Sequence, residues 1–415
     1  MRVLLAAMAL ELGGAETHVV GLAQALKRRG VEVEVASSGG TLAGELERAG
    51  IAHYVLPLDR RSPLALAASV AGLRTLLARG GYDVVHTHAR IPAWAAEQAR
   101  RGLGGPGLPV ALVTTYHGLY ADGWFWRRFT VWGEAVIAVS EDVREHLLDR
   151  LGAPPDRLRV IPNGIDLERF PWSEPPGTAG SAEGGEGPGA AAQAEAPATA
   201  AGGAPRPCVL HVSRLSEFAE TALALAEAAP ALAARHPGLR LRIAGSGSRL
   251  AEVRRAAERA NRRSGAPVVE VLGARRDIPE LLAGAWVVVA VARAALEAMA
   301  VGRPVVLSGQ GGYGGLLEPS SLPRFEPRNF TARGCGRPVE PALLEREIDR
   351  LLGDARLRRE LGRFGRQVVE ERYSLESVAR RTEEVYREAL RTLALRRARQ
   401  RGAGAKEAGP WKPTM

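Results

Sequence analysis

The sequence predicts an α/β protein made of two doubly wound, Rossmann-like domains facing each other across a cleft. Three observations carry this. Apolar strand-like runs alternate with helical periodicity through residues 1–172, the alternation stops across 173–206, and it restarts at 207. Strands alternating with helices make a parallel sheet with helices on both faces. A chain of 415 residues has room for two such domains, at roughly 100–200 residues each.

Each element has a local reason. Arg2–Ala7 is a short apolar strand, and Glu11 ends the apolar run too early for a signal peptide. Gly13-Gly14 turns the chain, then Val19, Leu22, Ala23 and Leu26 recur at helical spacing until Gly30. Val31–Ala36, Asp83–His88, Val110–His117 and Ala135–Ser140 read as strands, and Leu64–Leu77 as a helix. Ser140 is expected to cap the next helix, with Glu141-Asp142 at its positive end. Residues 173–206 are Gly, Ala, Pro, Ser and Glu with almost no large apolar side chain, so a disordered linker is expected. Beyond it, Cys208–Val212, Leu239–Ala244, Val268–Leu272, Trp286–Val291 and Pro304–Leu307 are strands. Helices are expected from Ala222, Ser248, Ile278, Ala294 and Leu343. A second domain over 207–373 follows. A helix over 374–390, with Val378, Thr382, Val385, Tyr386 and Ala389 on one face, is expected to cross back to the first domain. Residues 391–415 form a basic tail expected to be flexible.

Charge narrows the function. The net charge is +10, and the tail from Arg391 carries seven basic residues against Glu407, so +6 of it sits there and +4 on the rest. The body is nearly balanced and has no zinc-finger spacing or basic helix followed by heptads, which argues against nucleic acid. The tail either frays in solvent or touches an anionic membrane surface. Two cysteines, Cys208 and Cys335, make neither a disulfide framework nor a metal site, and a reduced cytoplasmic setting is expected. No run reaches the ~18 apolar residues of a membrane helix.

In open parallel sheets ligands bind outside the carboxyl ends of the strands. Gly13-Gly14 and Gly245-Ser-Gly247 lie there, where glycine lets backbone amides approach a phosphate; the plain alternative is a tight turn. Arg214 closes Cys208–Val212 and either grips a diphosphate or is a surface arginine. Glu297 sits in an apolar helix and calls for a partner, ribose hydroxyls or a salt bridge to Arg293 or Arg303. His117 ends a strand and is placed to donate a hydrogen bond into the cleft, unless it only caps its loop. His86 and His88 share a strand face but lack a third metal ligand. Seven of the 21 aromatics (Tyr116, Tyr120, Trp124, Phe125, Trp126, Phe129 and Trp132) gather beside Arg127 and Arg128. They suit either packing within their own domain or a lipid or sugar surface.

In order along the chain, Gly13-Gly14-Ala-Glu-Thr-His18, Asp83-Val-Val-His-Thr-His88, Thr115-Tyr-His117-Gly118, Val160-Ile-Pro-Asn163-Gly164, Val212-Ser-Arg214-Leu215, Ala244-Gly245-Ser-Gly247 and Leu296-Glu297-Ala-Met-Ala resemble the motifs of the group 1 (family 4) retaining glycosyltransferases, of GT-B fold. The resemblance spans all but the linker and tail. It implies that Gly13 and Gly14 approach the phosphates of a UDP- or GDP-linked sugar, with Gly245 and Gly247 on the same donor. It gives Arg214 the diphosphate, Glu297 the ribose, the Leu272 backbone the base and His117 the donor sugar. It further implies a retaining, metal-free reaction without a cofactor. The acceptor stays unidentified; the aromatic cluster and basic tail, not the resemblance, point to a glycan or lipid-linked acceptor at the inner membrane face of a cytoplasmic setting. Two residues depart from the pattern. Ala219 stands where a lysine is usual and Val289 where a glutamate is usual, so Arg293 is expected to take over part of the site. A nucleotide-sugar-binding protein with weak or lost activity therefore stands beside the enzyme reading.

Overall fold

A computed structural model describes residues 1–11, 13–102, 108–177, 206–216 and 219–407, without the side chains of Phe125 and residues 400–407. The chain divides into two units: unit 1 is Met1–Gly164 with Tyr373–Met415, and unit 2 is Ile165–Arg372. The boundary lies earlier than the expected 172 because Phe170 and Ser173 bond within unit 2. Arg366 donates to the Phe170 carbonyl at 3.1 Å, and Arg303 to the Ser173 carbonyl at 2.8 Å. Of the expected linker, residues 178–205 lie outside the described residues.

Unit 1 holds a seven-stranded parallel sheet of β1 (Arg2–Ala6), β2 (Glu32–Ser37), β3 (His53–Val55), β4 (Val84–Thr87), β5 (Ala111–Tyr116), β6 (Ala135–Ala138) and β7 (Leu158–Val160). Its order is β3-β2-β1-β4-β5-β6-β7, each neighbour pair being parallel. The central strands are buried on both faces, which is why they read as continuous apolar runs rather than alternating ones. The helix Gly14–Arg28 buries Val19, Val20, Leu22, Ala23 and Leu26, and Gly30 turns the chain out of it at φ +81°. The helix Leu375–Glu407 packs on the same core through Val378, Val385, Tyr386 and Ala389. It runs well past the expected end at 390, so the tail is helical as far as Glu407. Residues 408–415 lie outside the described residues. Ser140 precedes the helix Glu141–Asp149 but makes no capping bond; its hydroxyl bonds the Asp142 carboxylate instead.

Unit 2 holds six strands: β8 (Cys208–Val212), β9 (Arg240–Ala244), β10 (Val269–Gly273), β11 (Val287–Ala290), β12 (Val305–Gly309) and β13 (Gly312–Leu316). They run in the order β10-β9-β8-β11-β12-β13. All pairs are parallel except β12 with β13. Helices Ala219–Arg235, Leu250–Ser264, Ala292–Val301 and Pro341–Gly353 cover the sheet, with Leu225, Leu232, Val253 and Leu351 in its core. Among the described residues no helix is long and apolar enough to cross a membrane.

Candidate active site

In unit 2 three strand ends are knitted into one rim. The loop after β8 carries Arg214, whose side chain is exposed. The loop after β9 is Gly245-Ser246-Gly247, and β10 ends on Leu272-Gly273. Ser213 N–H donates to the Ala244 carbonyl at 3.1 Å, Leu215 N–H to Ser246 at 2.8 Å, and Gly245 N–H to Gly273 at 2.8 Å. Gly245 and Gly247 stand at φ +154° and +155°. A Cβ on Gly245 would overlap the Ser213 carbonyl oxygen, and one on Gly247 would lie 2.6 Å from the Leu215 carbonyl carbon. Both glycines are therefore demanded twice, by dihedral and by close approach. The structure thus brings Arg214, Gly245, Gly247 and Leu272 to one edge of the sheet.

The helix Ala292–Val301 follows β11 directly. Arg293 Nε donates to Glu297 Oε1 at 2.8 Å, so the ion pair is the partner this carboxylate has here. Burial raises the Glu297 pKa, against the lowering effect of the Arg293 guanidinium. Arg303 is not its partner: that guanidinium is buried and spends its donors on the carbonyls of Leu282, Ser173 and Ala283. Val289 lies wholly buried inside β11, where its carbonyl accepts from His211 Nδ1 at 2.7 Å. Ala219 is likewise fully buried at the start of its helix. The turn into Ala292–Val301 holds a feature that the sequence does not announce. Ala292 adopts φ +52° and donates its N–H to the Phe330 carbonyl at 2.9 Å. Asn329, Phe330 and Ala332 also have positive φ, at +50°, +54° and +57°. Left-handed non-glycine residues cost of order 1–3 kcal/mol each and gather at functional sites.

In unit 1, Gly13 is extended at φ −163° and Gly14 opens the helix Gly14–Arg28, the Gly13 carbonyl accepting from Thr17 N–H at 3.0 Å. One turn on, His18 Nδ1 accepts from Gly164 N–H at 3.1 Å, and its ring lies 5.7 Å from that of His117. The glycine turn and His117 are thereby brought together. His117 Nδ1 meets Asn163 Oδ1 at 3.1 Å and its Nε2 meets His88 Nδ1 at 3.2 Å. Any ligand bonding Nε2 must take the place of His88, so the expected free donor is occupied here. With the Asn163 amide oriented this way, His117 carries its proton on Nδ1 and accepts at Nε2. The His86 ring lies 4.2 Å from that of His88, tilted by 39°, and bonds Tyr386 and Thr115, each at 2.7 Å. Burial depresses His117 to about 4 and His86 to about 3, and holds His88 well below its ordinary value. The four-ring cluster, with Asn163 and Tyr386, was not foreseen as a unit. Its sequence signals are separate ones: the shared face of His86 and His88, His117 at a strand end, and the family-like motifs that carry His18 and Asn163. Among the described residues no group of three or more His, Cys, Asp or Glu is arranged to hold a metal.

The aromatic run divides. Tyr116 is fully buried, with Tyr120 and Trp132 at ring distances of 5.5 and 5.6 Å. Arg90 lies over Tyr120 and Trp126. By contrast Trp124 is 80% exposed and Phe129 46%.

Residues 12–169 match the model of Glycosyltransferase Family 4, and residues 206–324 match that of Glycosyl transferases group 1. A D-inositol 3-phosphate glycosyltransferase of Xylanimonas cellulosilytica is 31% identical over 189 residues, which is 39% of this chain and 44% of that protein. A phosphatidyl-myo-inositol mannosyltransferase of Mycobacterium leprae is 28% identical over 169 residues, 38% of this chain and 42% of that protein. The chain thus matches less than half the length of these curated relatives. A solved glycosyltransferase from Rickettsia africae superimposes with TM-score 0.71 at 20% identity, covering 94% of this chain and 98% of that one. Anabaena HepE, solved in complex with UDP, gives 0.63 at 19% identity, covering 92% and 99%. With both halves matched in the order of their motifs and the fold shared across nearly the whole length, the chain belongs to the group 1, family 4 glycosyltransferases and has the GT-B fold.

Proposed function

We propose that the protein transfers a sugar from a UDP- or GDP-linked donor to a hydroxyl of a glycan or lipid-linked acceptor, with retention and without a metal, at the cytoplasmic side of a membrane. The observation that carries this reading is the rim of unit 2, where the exposed Arg214 stands beside a glycine loop locked by backbone bonds. A planar guanidinium pairs bidentately with phosphate oxygens. As the bond between the anomeric carbon and the diphosphate breaks, the leaving group gains negative charge. Arg214 stabilises it, while Glu297 and Arg293 hold the ribose side and the Leu272 backbone the base. His117, neutral at physiological pH, orients the sugar by accepting from a hydroxyl at Nε2 in place of His88 rather than by carrying charge.

The names of the relatives guide the acceptor. Inositol 3-phosphate and phosphatidyl-myo-inositol are the first acceptors to try. The deciding experiment is a panel of UDP-, GDP- and ADP-sugars with these acceptors, read as release of nucleoside diphosphate. Release from one donor supports the transferase. Thermal stabilisation by a donor without release supports a binding protein that has lost turnover. The buried Ala219 and Val289, which leave no lysine or glutamate at their positions, favour that second reading. No stabilisation and no release with any donor defeats both.

A further inference from the structure

At the opposite edge of the unit 1 sheet from His117, before β5, β6 and β7 begin, lies a pocket of about 490 Å³ that the transferase reading does not use. Five arginines line it: Arg100, Arg101, Arg128, Arg157 and Arg396. Two buried carboxylates fix part of this set. Glu97 pairs with Arg100 and with Arg101 at 2.5 Å. Glu134 pairs at 3.0 Å with both Arg100 and Arg396, and also accepts from Leu112 N–H at 2.8 Å. Arg157 donates to the Gly133 carbonyl at 3.0 Å. Arg157 also pairs with the exposed Asp156 at 3.9 Å, so five guanidinium charges against three carboxylates leave the pocket at +2. Guanidinium groups held in place by buried acids are pre-organised for phosphate oxygens.

The rim of the pocket is apolar. Phe129 lines it, and Trp124, four residues before Arg128 on the helix Trp124–Phe129, is on the same helical face as that arginine. Leu395, next to Arg396, is 63% exposed. Exposed Trp, Phe and Leu beside clustered arginines are what a headgroup layer accepts: apolar side chains enter the acyl boundary while guanidinium groups meet phosphate. We infer that this surface docks the protein on an anionic lipid bilayer, with a lipid phosphate in the arginine pocket. The argument is charge complementarity together with exposed apolar groups at the same spot. It neither needs the tail beyond Glu407 nor rests on sugar transfer.

The test is co-sedimentation of the full-length protein with phosphatidylcholine vesicles, with and without phosphatidylglycerol, at low and physiological salt. Binding is expected only with the anionic lipid and should weaken as salt rises. Trp124→Ser and Arg128→Glu, both at exposed positions, should each lower partitioning about fivefold or more. Arg254→Glu, the same charge change on an exposed helix position of unit 2, should alter it less than about twofold. Equal loss in all three variants, equal binding to neutral vesicles, or no binding at all would overturn the proposal. So would saturable binding of free glycerol phosphate without vesicle binding, which would assign the pocket to a small phosphate.

Discussion

Units 1 and 2 are built alike and end differently. Both are doubly wound parallel sheets whose first strand sits in the middle, β1 between β2 and β4, β8 between β9 and β11. At the carboxyl edge of unit 1 the chain presents buried imidazoles held neutral by their surroundings. At the same edge of unit 2 it presents an exposed guanidinium and loops of glycine locked by backbone bonds. One edge offers oriented neutral dipoles and the other offers positive charge on a locked glycine loop. A common scaffold therefore leaves chemistry to a few loop residues. A diphosphate suits unit 2, and a neutral hydroxylated group suits unit 1.

The sharpest way to break this comparison is to fill a glycine of unit 2. Gly245→Ala places a methyl on the Ser213 carbonyl at a dihedral alanine avoids. It should destabilise unit 2 by roughly 3 kcal/mol or more. Urea unfolding followed by hydrogen exchange in β8 and β9 would read it, and an unchanged midpoint would mean the loops are not locked. Next in size, Arg214→Ala should lower donor turnover by about 10²–10³ with little change in stability, since the side chain is exposed. His117→Ala should lower turnover by about a hundredfold. A loss from the Arg214 variant that appears only in the donor KM would mean that arginine binds ground state and transition state alike.

The two edges were also unequally legible in the sequence. Arg214 and the glycines of unit 2 are local features: a strand, then a glycine or arginine, is readable from order alone. The unit 1 cluster assembles rings from β4, the end of β5 and the helix Gly14–Arg28, closed by Asn163 and by Tyr386 some 300 positions from His86. No local periodicity reports such a meeting. Short elements escaped for a different reason. His53–Val55 and Leu158–Val160 have three residues each, too few for alternation to show, and Gly312–Leu316 has three glycines and reads as a turn. The helix Ala355–Arg372 was hidden by its many charges, although Leu361, Val368 and Val369 keep its apolar face. The length of the last helix is not legible in the sequence because its basic run carries little apolar periodicity.

The smallest expected effect separates the units by pH. In unit 1, His86, His88 and His117 are depressed from 6.5, two of them to about 3 and about 4. In unit 2, His211 is depressed to about 4, with burial as the main cause. Each is neutral when folded but takes up a proton near 6.5 when unfolded. Their contribution to stability is therefore complete above pH 6.5 and is lost as pH falls from 6.5 through about 4 and 3. Between pH 6.5 and 5.5 each such histidine should cost its unit about 1 kcal/mol. Unit 1, with these three and His53, which burial also lowers, should weaken faster than unit 2, with one. Hydrogen exchange in β5 and β8, corrected for intrinsic rates, reads the two slopes in one sample. His211→Gln should flatten the unit 2 slope and leave that of unit 1 alone. Parallel slopes in the native protein would mean that the imidazoles of unit 1 are hydrated, and with them the neutral edge that sets the two units apart.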